Sequence, residues 1–518
     1  MSFAKVWSVQ HALLKAQIIS IEVDLSKGLQ AFSIVGLPDK GVEESKDRVS
    51  AAIKNSGFKS PKQRNQKIVI SLAPADLRKE GPIFDLAIAL AYLLAAKDIK
   101  FNPENKIFLG ELSLDGSLQR IKGVLPQVIE AKRQGYQEVY VPSANTEEAA
   151  LIGGIKIFGV KNLKEIIEHL DVDKNEEEDP KTKLLPAPTT KINYPKKSYM
   201  VDFSEVKGQE AAKRGLEIAA AGGHNIALYG PPGTGKTMLA KAFLHILPTL
   251  TFPEILETTS IHSVAGTLKE NLIVDPPFRA PHHTASFIAM VGGGSTPKPG
   301  EVTLAHRGVL FLDEFPEFDK KLIECLRQPL EEHTINISRA RGSANFPAKF
   351  ILIATMNPCP CGNNGIKGKE CICSQATLGH YSRKISGPII DRIDIWIEVS
   401  IIDHQKLSSN EKEKDNTDTL KQRVLDARSI QKERFMKNAL HYSTNSEMTA
   451  KDMHKLIPLD EKTKKIMNDS AVALDLSARS YHRVLKLART IADLEQKENV
   501  GSAHILEALQ YRPKKKEL

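Results

Sequence analysis

The sequence predicts an α/β protein built as a mixed α/β domain, a nucleotide-binding α/β domain and an α-helical domain in succession. Three observations carry this. The 518 residues, at roughly 150 per domain, allow about three cores. A complete phosphate-loop pattern stands between an apolar strand and a helix in the middle of the chain. From about residue 403 the apolar spacing becomes helical throughout. The composition, 41% hydrophobic and 26% charged, suits a globular protein and not a disordered one. The longest apolar run, Ile83 to Ala96, is broken by Asp85 and is too short for a bilayer. No charged-then-apolar leader is evident. Of five cysteines, four crowd into 359–373, unlike a secreted disulfide framework. The expectation is a soluble, cytoplasmic protein with no membrane partner. Its net charge of +9 favours a polyanionic partner only weakly.

Taken in order, residues 1–170 alternate strand-like runs, Ile68–Ser71 and Glu138–Val141, with apolar helical stretches at 85–96 and 124–133. This reads as one mixed α/β domain. Residues 171–200 open with Glu176, Glu177, Glu178 and Asp179 and continue through Pro180, Pro186, Pro188 and Pro195; such a segment has little to pack and reads as a linker. Residues 201–402 repeat a strand–loop–helix rhythm. Residues 403–518 read as helical and end in a basic tail, Arg512, Lys514, Lys515 and Lys516.

Gly230-Pro231-Pro232-Gly233-Thr234-Gly235-Lys236-Thr237 fits G-x-x-x-x-G-K-[ST] in full, between the strand Ile226–Tyr229 and a helix expected over Met238–Leu247. The pattern serves nucleotide chemistry: the loop amides cradle phosphates, Lys236 reaches the β- and γ-phosphates, and Thr237 ligates Mg²⁺. The run Gly308–Glu314 is a buried strand ending in two carboxylates. Asp313 there would hold Mg²⁺ through its shell and Glu314 would polarise the attacking water. A further strand ends at Asn357, which can orient that water or sense the γ-phosphate. Arg392 follows a short helix-like turn; its alternatives are an arginine given to a neighbouring copy's nucleotide or a local pair with Asp391 or Asp394. Arg479, at a helix start, could face the γ-phosphate, with Arg483 and Arg489 as competitors.

The order of these elements resembles the AAA+ ATPases, and the wording is closer still to one group. Pro277–Thr284 (PFRAPHHT), Gly292–Gly294, Pro299–Glu301, Phe311–Phe315 (FLDEF) and Ile385–Asp394 (ISGPIIDRID) resemble the YifB/ComM-type magnesium-chelatase-like proteins. Phe32–Asp39 (FSIVGLPD), Leu72–Gly81 (LAPADLRKEG) and Gly110–Gly116 (GELSLDG) extend the likeness to nearly the whole chain. The resemblance implies an N-terminal Lon-protease-like (S5-type) α+β domain, a P-loop AAA+ α/β domain of magnesium-chelatase type and a C-terminal α-helical lid. It also implies ATP and Mg²⁺, a homo-hexameric ring, DNA as partner, recombination proteins nearby, and ATP-driven branch migration in natural transformation. A Lon-type site needs a serine nucleophile and a lysine base. Alignment of Lys79–Pro82 with the nucleophile loop puts Ile83 at the serine, and Lys122–Ala131 puts Gln127 at the lysine, so no peptidase is expected. Two other readings remain beside the DNA motor: a chelatase-type or assembly ATPase acting on a protein or porphyrin, and a nucleotide-switched binding module.

By the same resemblance the long stretch between Lys236 and Asp313 holds an insertion in helix 2 that projects to the ring pore, with Lys298 on a Gly/Pro-rich loop. Thr334–Arg339 and Ala344–Lys349 flank Arg341-Gly342-Ser343 as a β-hairpin, from which Arg339 and Arg341 could grip phosphates without sequence preference. Aromatics make up 6% of the chain, so base stacking is not favoured. Cys359, Cys361, Cys371 and Cys373 form two C-x-C pairs. They read either as a structural Zn²⁺ site, although C-x-C is tighter than the usual spacing, or as reduced or redox-paired thiols. Cys325 reads as a core residue, and His282-His283 as a structural or ring-interface loop with diverging side chains. Acidic and basic residues balance in 201–402, so placed residues, and not bulk charge, would have to hold DNA there.

Overall fold

The structure, a computed structural model, describes every residue except 1, 13–14, 173–182, 193–198, 200, 269–271, 295–297, 340–341, 366–368, 403–414 and 514–518. Of residues 11, 12, 15, 338, 339 and 342–344 only the backbone is described. Two compact units form, Met1–Tyr194 with Ile255–Ile273, and Pro195–Glu254 with Val274–Leu518.

The first unit is built on a seven-stranded mixed sheet. Its strands are β1 (Ser2–Ala12), β2 (Lys15–Lys27), β3 (Ala31–Val35), β4 (Gln66–Ala73), β5 (Lys106–Phe108), β6 (Glu138–Pro142) and β7 (Lys156–Val160). They lie in the order β3-β4-β2-β1-β5-β6-β7. Strands β1 and β2 pair antiparallel in a long hairpin, whereas β5, β6 and β7 run parallel. The apolar run of the sequence becomes helix α1 (Asp85–Ala95), with nearly every residue buried. A helix apolar all round has no solvent face to offer, which is why it sits inside and not on the surface. Asp85 at its first turn is wholly buried. Arg48 Nε donates to it at 2.7 Å and the Leu112 amide at 3.2 Å, so the charge is paired and hydrogen-bonded. Ile83 lies buried in the turn Pro82–Phe84, and Gln127 is buried in α2 (Val124–Arg133).

Two segments differ from their reading by composition. Within 171–200, the described residues 183–192 pack on this unit: Leu184, Ala187 and Ile192 lie against its core, and the Ala187 amide donates to Ile157 O at 2.7 Å. The acidic run 176–179 lies outside the described residues. Helix α3 (Phe252–Ala265) begins in the second unit, yet from Ile255 onward it belongs to the first. There Ser263 Oγ donates to the buried Glu148 carboxylate at 2.6 Å and accepts from the Gly123 amide at 3.0 Å.

The second unit carries a five-stranded, wholly parallel sheet: β8 (Ile226–Tyr229), β9 (Phe278–Arg279), β10 (Val309–Leu312), β13 (Ile351–Met356) and β14 (Ile395–Glu398). The order is β9-β10-β13-β8-β14. Strands β10 and β13 are buried along their whole length. That suits continuous apolar runs covered on both faces. Between them β11 (Thr334–Arg339) and β12 (Gly342–Pro347) form the expected hairpin, with Arg339 paired to Gly342. After β14 the described chain is helical: α4 (Thr417–Lys437), α5 (Ala450–Leu456), α6 (Glu461–Ala473), α7 (Ala478–Leu494) and α8 (Ser502–Gln510). Their apolar faces join the core of the sheet. Arg512, read by composition as part of a free basic tail, is packed instead: its guanidinium donates to Ser480 Oγ at 3.0 Å and Ile393 O at 3.3 Å. No described helix is long and apolar enough to cross a membrane.

Candidate active site

The phosphate loop links the end of β8 to the helix Lys236–Ile246, at the carboxyl edge of a parallel sheet where such folds take ligands. Gly235 caps that helix at φ +89°, a conformation that favours glycine. Thr234 Oγ1 donates to Pro231 O at 3.0 Å and fixes the loop's curl. A cleft lined by Pro232–Met238, Asp313, Glu314, Thr355, Met356 and Asn357 opens there. Thus the strand ends bring together, from three separate stretches of sequence, the residues from Pro232 to Met238, both carboxylates and Asn357.

Lys236 Nζ donates to Gly230 O at 2.6 Å, to Pro231 O at 2.7 Å and to Asn357 Oδ1 at 3.2 Å. Burial pulls this ammonium below the usual lysine value, with the Asp313 carboxylate opposing. A phosphate chain would supply the negative charge this buried cation lacks. Thr237 Oγ1 donates to Asp313 Oδ2 at 3.1 Å. The two oxygens suit a hard cation that keeps several waters: Thr237 Oγ1 would ligate it and Asp313 would accept from its water shell. Thr355 Oγ1 donates to the other Asp313 oxygen, and the Glu314 amide donates to it at 3.1 Å. Glu314 itself adopts φ +52°, and its half-exposed carboxylate lies 3.6 Å from His283 Nδ1. The rings of His282 and His283 do not diverge, as adjacency suggested; their centroids are 4.1 Å apart.

Arg392 and Arg479 are absent from that cleft and meet each other elsewhere. Both guanidiniums bond the carboxylate of Glu331, and Arg392 also donates to Pro388 O at 2.7 Å. Neither local partner weighed for Arg392 holds it. Asp394 instead takes Arg483 and lies 3.3 Å from His224 Nδ1, and Asp391 lies 3.7 Å from Arg512. Of the three helix arginines, Arg489 is buried on Asp493, Arg483 spans Asp394 and Arg392 O, and only Arg479 presents a substantially exposed end. Asp394 is held well below the usual carboxylate range by Arg483 and His224, against the opposing effect of burial.

The four clustered cysteines also converge, with all Sγ atoms within 4.8 Å of one another. Cys325 is apart and only partly buried, not the core residue expected; desolvation pushes its thiol up to about 12, and Sγ donates to Leu322 O. Lys298 is exposed on a two-residue ladder with Gly292–Gly293. That ladder abuts the hairpin: a Cβ on Gly292 would stand 3.2 Å from Ile337 Cδ1. The Arg339 side chain and all of Arg341 lie outside the described residues.

Sequence reasoning missed Glu331, Thr355, the His283–Glu314 approach and Tyr381, whose hydroxyl donates to Asn357 O at 3.1 Å. Thr355 and Tyr381 had the usable signal of lying beside Asn357 in sequence or within one helix of it; Glu331 had none.

The family profile described as "Magnesium chelatase, subunit ChlI" matches residues 202–407. Those described as "Subunit ChlI of Mg-chelatase" and "Magnesium chelatase, subunit ChlI C-terminal" match 21–145 and 414–512. Competence protein ComM of Haemophilus influenzae is 39% identical over 519 residues, covering 99% of this chain and 98% of that one. YifB of Escherichia coli (strain K12), described as uncharacterised, is 40% identical over 501 residues, covering 96% and 95%. The magnesium-chelatase 67 kDa subunit of Heliobacterium mobile is 26% identical over 196 residues, 32% of this chain and 29% of that one. Phosphate loop, paired carboxylates and parallel sheet define a P-loop ATPase of the AAA+ class. Within that class the chain belongs to the YifB/ComM magnesium-chelatase-like family.

Proposed function

We propose that this protein is an ATP-hydrolysing ring motor that moves DNA, acting in the cytoplasm as a branch-migration helicase during homologous recombination. The observation that carries the ring is the separation of the arginines from the cleft. Lys236, Thr237, Asp313, Glu314 and Asn357 gather at one site, while Arg392 and Arg479 gather at Glu331. A second copy, placing its Glu331 corner over the first copy's cleft, would complete each site, so oligomerisation would be part of catalysis and a hexamer the expected ring.

In that assembly Lys236 would hold the β- and γ-phosphates, and Glu314 would polarise the attacking water with Asn357 orienting it. Arg392 and Arg479 of the adjoining copy would offset charge in the transition state, an effect worth about 10³-fold or more in related enzymes. Mg²⁺, held by Thr237 and Asp313, would neutralise phosphate charge. The N-terminal unit, which the resemblance reads as Lon-like, has Ile83 and Gln127 where a Ser/Lys pair would stand and would serve as a scaffold. The helices after residue 417 would form the lid.

DNA as the track is supported by the name of the Haemophilus relative, a competence protein, and by Lys298 lying exposed beside the hairpin that carries Arg339 and Arg341. Contacts of that kind would be salt-sensitive, each neutralised phosphate steepening the dependence on log salt by about 0.9 for duplex DNA. The test is direct: incubate the protein and ATP with a labelled three- or four-strand junction at graded salt. Junction movement with salt-sensitive binding supports the motor; absence of both refutes it. A chelatase-type motor is the second reading, because the matching profiles carry that description. It predicts ATPase activity indifferent to DNA.

A further inference from the structure

The loop that follows Asn357 has almost nothing apolar to hold it. Among its described residues the large apolar side chain is Ile372, which is 85% exposed. Yet its ends meet: Cys359 lies 3.8 Å and Cys361 3.7 Å, sulfur to sulfur, from Cys371, and Cys359 lies 3.3 Å from Cys361. Cys373 completes a group whose sulfurs all lie within 4.8 Å. Four thiolates at about 2.3 Å from a tetrahedral Zn²⁺ would be separated by about 3.8 Å. The Asn364 amide donates to Cys359 Sγ at 3.3 Å, as suits a sulfur carrying negative charge.

This group is built onto the nucleotide cleft. Cys359 is buried two positions beyond Asn357. Gly362 lies in the left-handed region at φ +77°, so close to the phosphate loop that a Cβ would stand 2.8 Å from Pro232 Cδ. The chain then returns from Cys373 into the helix Gln375–Ser382, where Tyr381 donates its hydroxyl proton to Asn357 O at 3.1 Å. The path from Asn357 through the cysteines and back to Asn357 is closed at both ends on cleft residues.

We propose that Cys359, Cys361, Cys371 and Cys373 bind one structural Zn²⁺, and that the closed knot acts on nucleotide binding by holding Gly362 against Pro232 and Asn357 in place. The two C-x-C pairs, one from each arm of the loop, each supply one edge of the tetrahedron, so neither pair has to wrap the ion alone. Soft thiolates select Zn²⁺ and leave the hard oxygens at Thr237 and Asp313 to Mg²⁺. The coupling half rests on the nucleotide reading above; the metal half does not.

The test uses the full chain, purified with reductant. Metal analysis should find one Zn²⁺ per chain, and Co²⁺ exchanged into the site should give the visible spectrum of a tetrahedral thiolate centre. Cys371→Ser/Cys373→Ser should lose the metal. Gly362→Ala should keep it, yet bind a fluorescent ATP analogue about tenfold more weakly, equivalent to about 1.4 kcal/mol, because the added methyl would displace Pro232 of the phosphate loop. Wild-type protein that holds no stoichiometric zinc after incubation with ZnCl₂ overturns the metal site. Zinc-loaded Gly362→Ala that binds the analogue as wild type does overturns the coupling, and this variant tests it even where the double serine variant fails to fold. Wild-type protein that holds zinc and binds no analogue refutes the nucleotide reading, and with it the coupling, while the zinc site stands.

Discussion

Replacing Asp394 by Asn tests how the helical region is held to the ATPase sheet. The carboxylate is buried between Arg483 from α7, His224 before β8, and the Asn225 amide, which donates to it at 3.2 Å. Asparagine keeps the size and can still accept from that amide, but leaves the Arg483 guanidinium, 16% exposed, facing a neutral partner. Breaking one side of a buried ion pair costs about 3–5 kcal/mol. For a unit of this size each kcal/mol is worth about 2 °C in Tm, so the second unit should melt about 6–10 °C lower. The chain has two tryptophans, one in each unit, so fluorescence of Trp396 in a Trp7→Phe background reports the second unit alone. The sign with pH is fixed by the depressed carboxyl. Its stabilisation is present above the ordinary Asp value of about 3.9 and is lost as pH falls through the lower folded value, so the gap should persist at pH 5 and narrow toward pH 3. Because Arg483 also donates to Arg392 O at 2.8 Å, any oligomer-dependent ATPase should fall as well. A loss under about 1 kcal/mol at pH 7, or a gap unchanged at pH 3, would refute the reasoning.

Three further outcomes are expected. Glu314→Gln should retain nucleotide binding and lose at least about 100-fold in turnover; normal steady-state hydrolysis by this variant would remove Glu314 from the mechanism. Arg392→Ala and Lys236→Met should each be inactive alone, and mixing them should restore part of the ATPase, because mixed rings place an intact arginine beside an intact cleft. A mixture as inactive as its components would show that the arginine is not shared between copies. Lys486, lowered to about 8 by burial, should make wild-type stability rise between about pH 8 and pH 10.5. Across that window the unfolded chain still binds the proton that the folded chain has shed. Lys486→Met should lack that rise, amounting to as much as about 3 kcal/mol, in parallel thermal melts at pH 7 and pH 10.

How much of this was legible in the sequence depended on how far apart the chemistry's parts lie. The phosphate loop could be read because its eight residues act as one segment whose spacing is set by backbone amides around a phosphate. Asp313–Glu314 and Asn357 were readable as the polar ends of apolar strands, which parallel packing must bring to one edge. The cysteines were half legible: their sequence spacing argued against a metal, and only the crossing distances between the two pairs, 3.7 and 3.8 Å, match a tetrahedron. Helix α3 shows a different limit. Its apolar and polar residues do not fall on separate faces, and local spacing never says against which core a helix packs, so the bond from Ser263 to Glu148, 115 positions away, left no trace in it.

The arginines mark the sharpest boundary. Arg392, Arg479, Arg483 and Arg489 are chemically interchangeable by eye, and local sequence does not sort them: three have an acidic residue within four positions and Arg483 has none. What distinguishes them is the partner each finds: Asp493 one turn away for Arg489, Asp394 for Arg483, and a single shared carboxylate, Glu331, for Arg392 and Arg479 across 61 and 148 positions. A buried arginine committed to its own carboxylate cannot move to a phosphate without leaving that carboxylate unpaired, at a cost of several kcal/mol. Arg479, 40% exposed with Glu331 43% exposed, pays little of that penalty, since exposed pairs are worth about 0–1 kcal/mol. Arg392 is more enclosed, but its acceptor is the same exposed Glu331. The bond given up at least cost is therefore Arg479 to Glu331, and in the proposed ring a neighbouring nucleotide, with more negative charge than one glutamate, would be the partner for which Arg479 and Arg392 are exchanged.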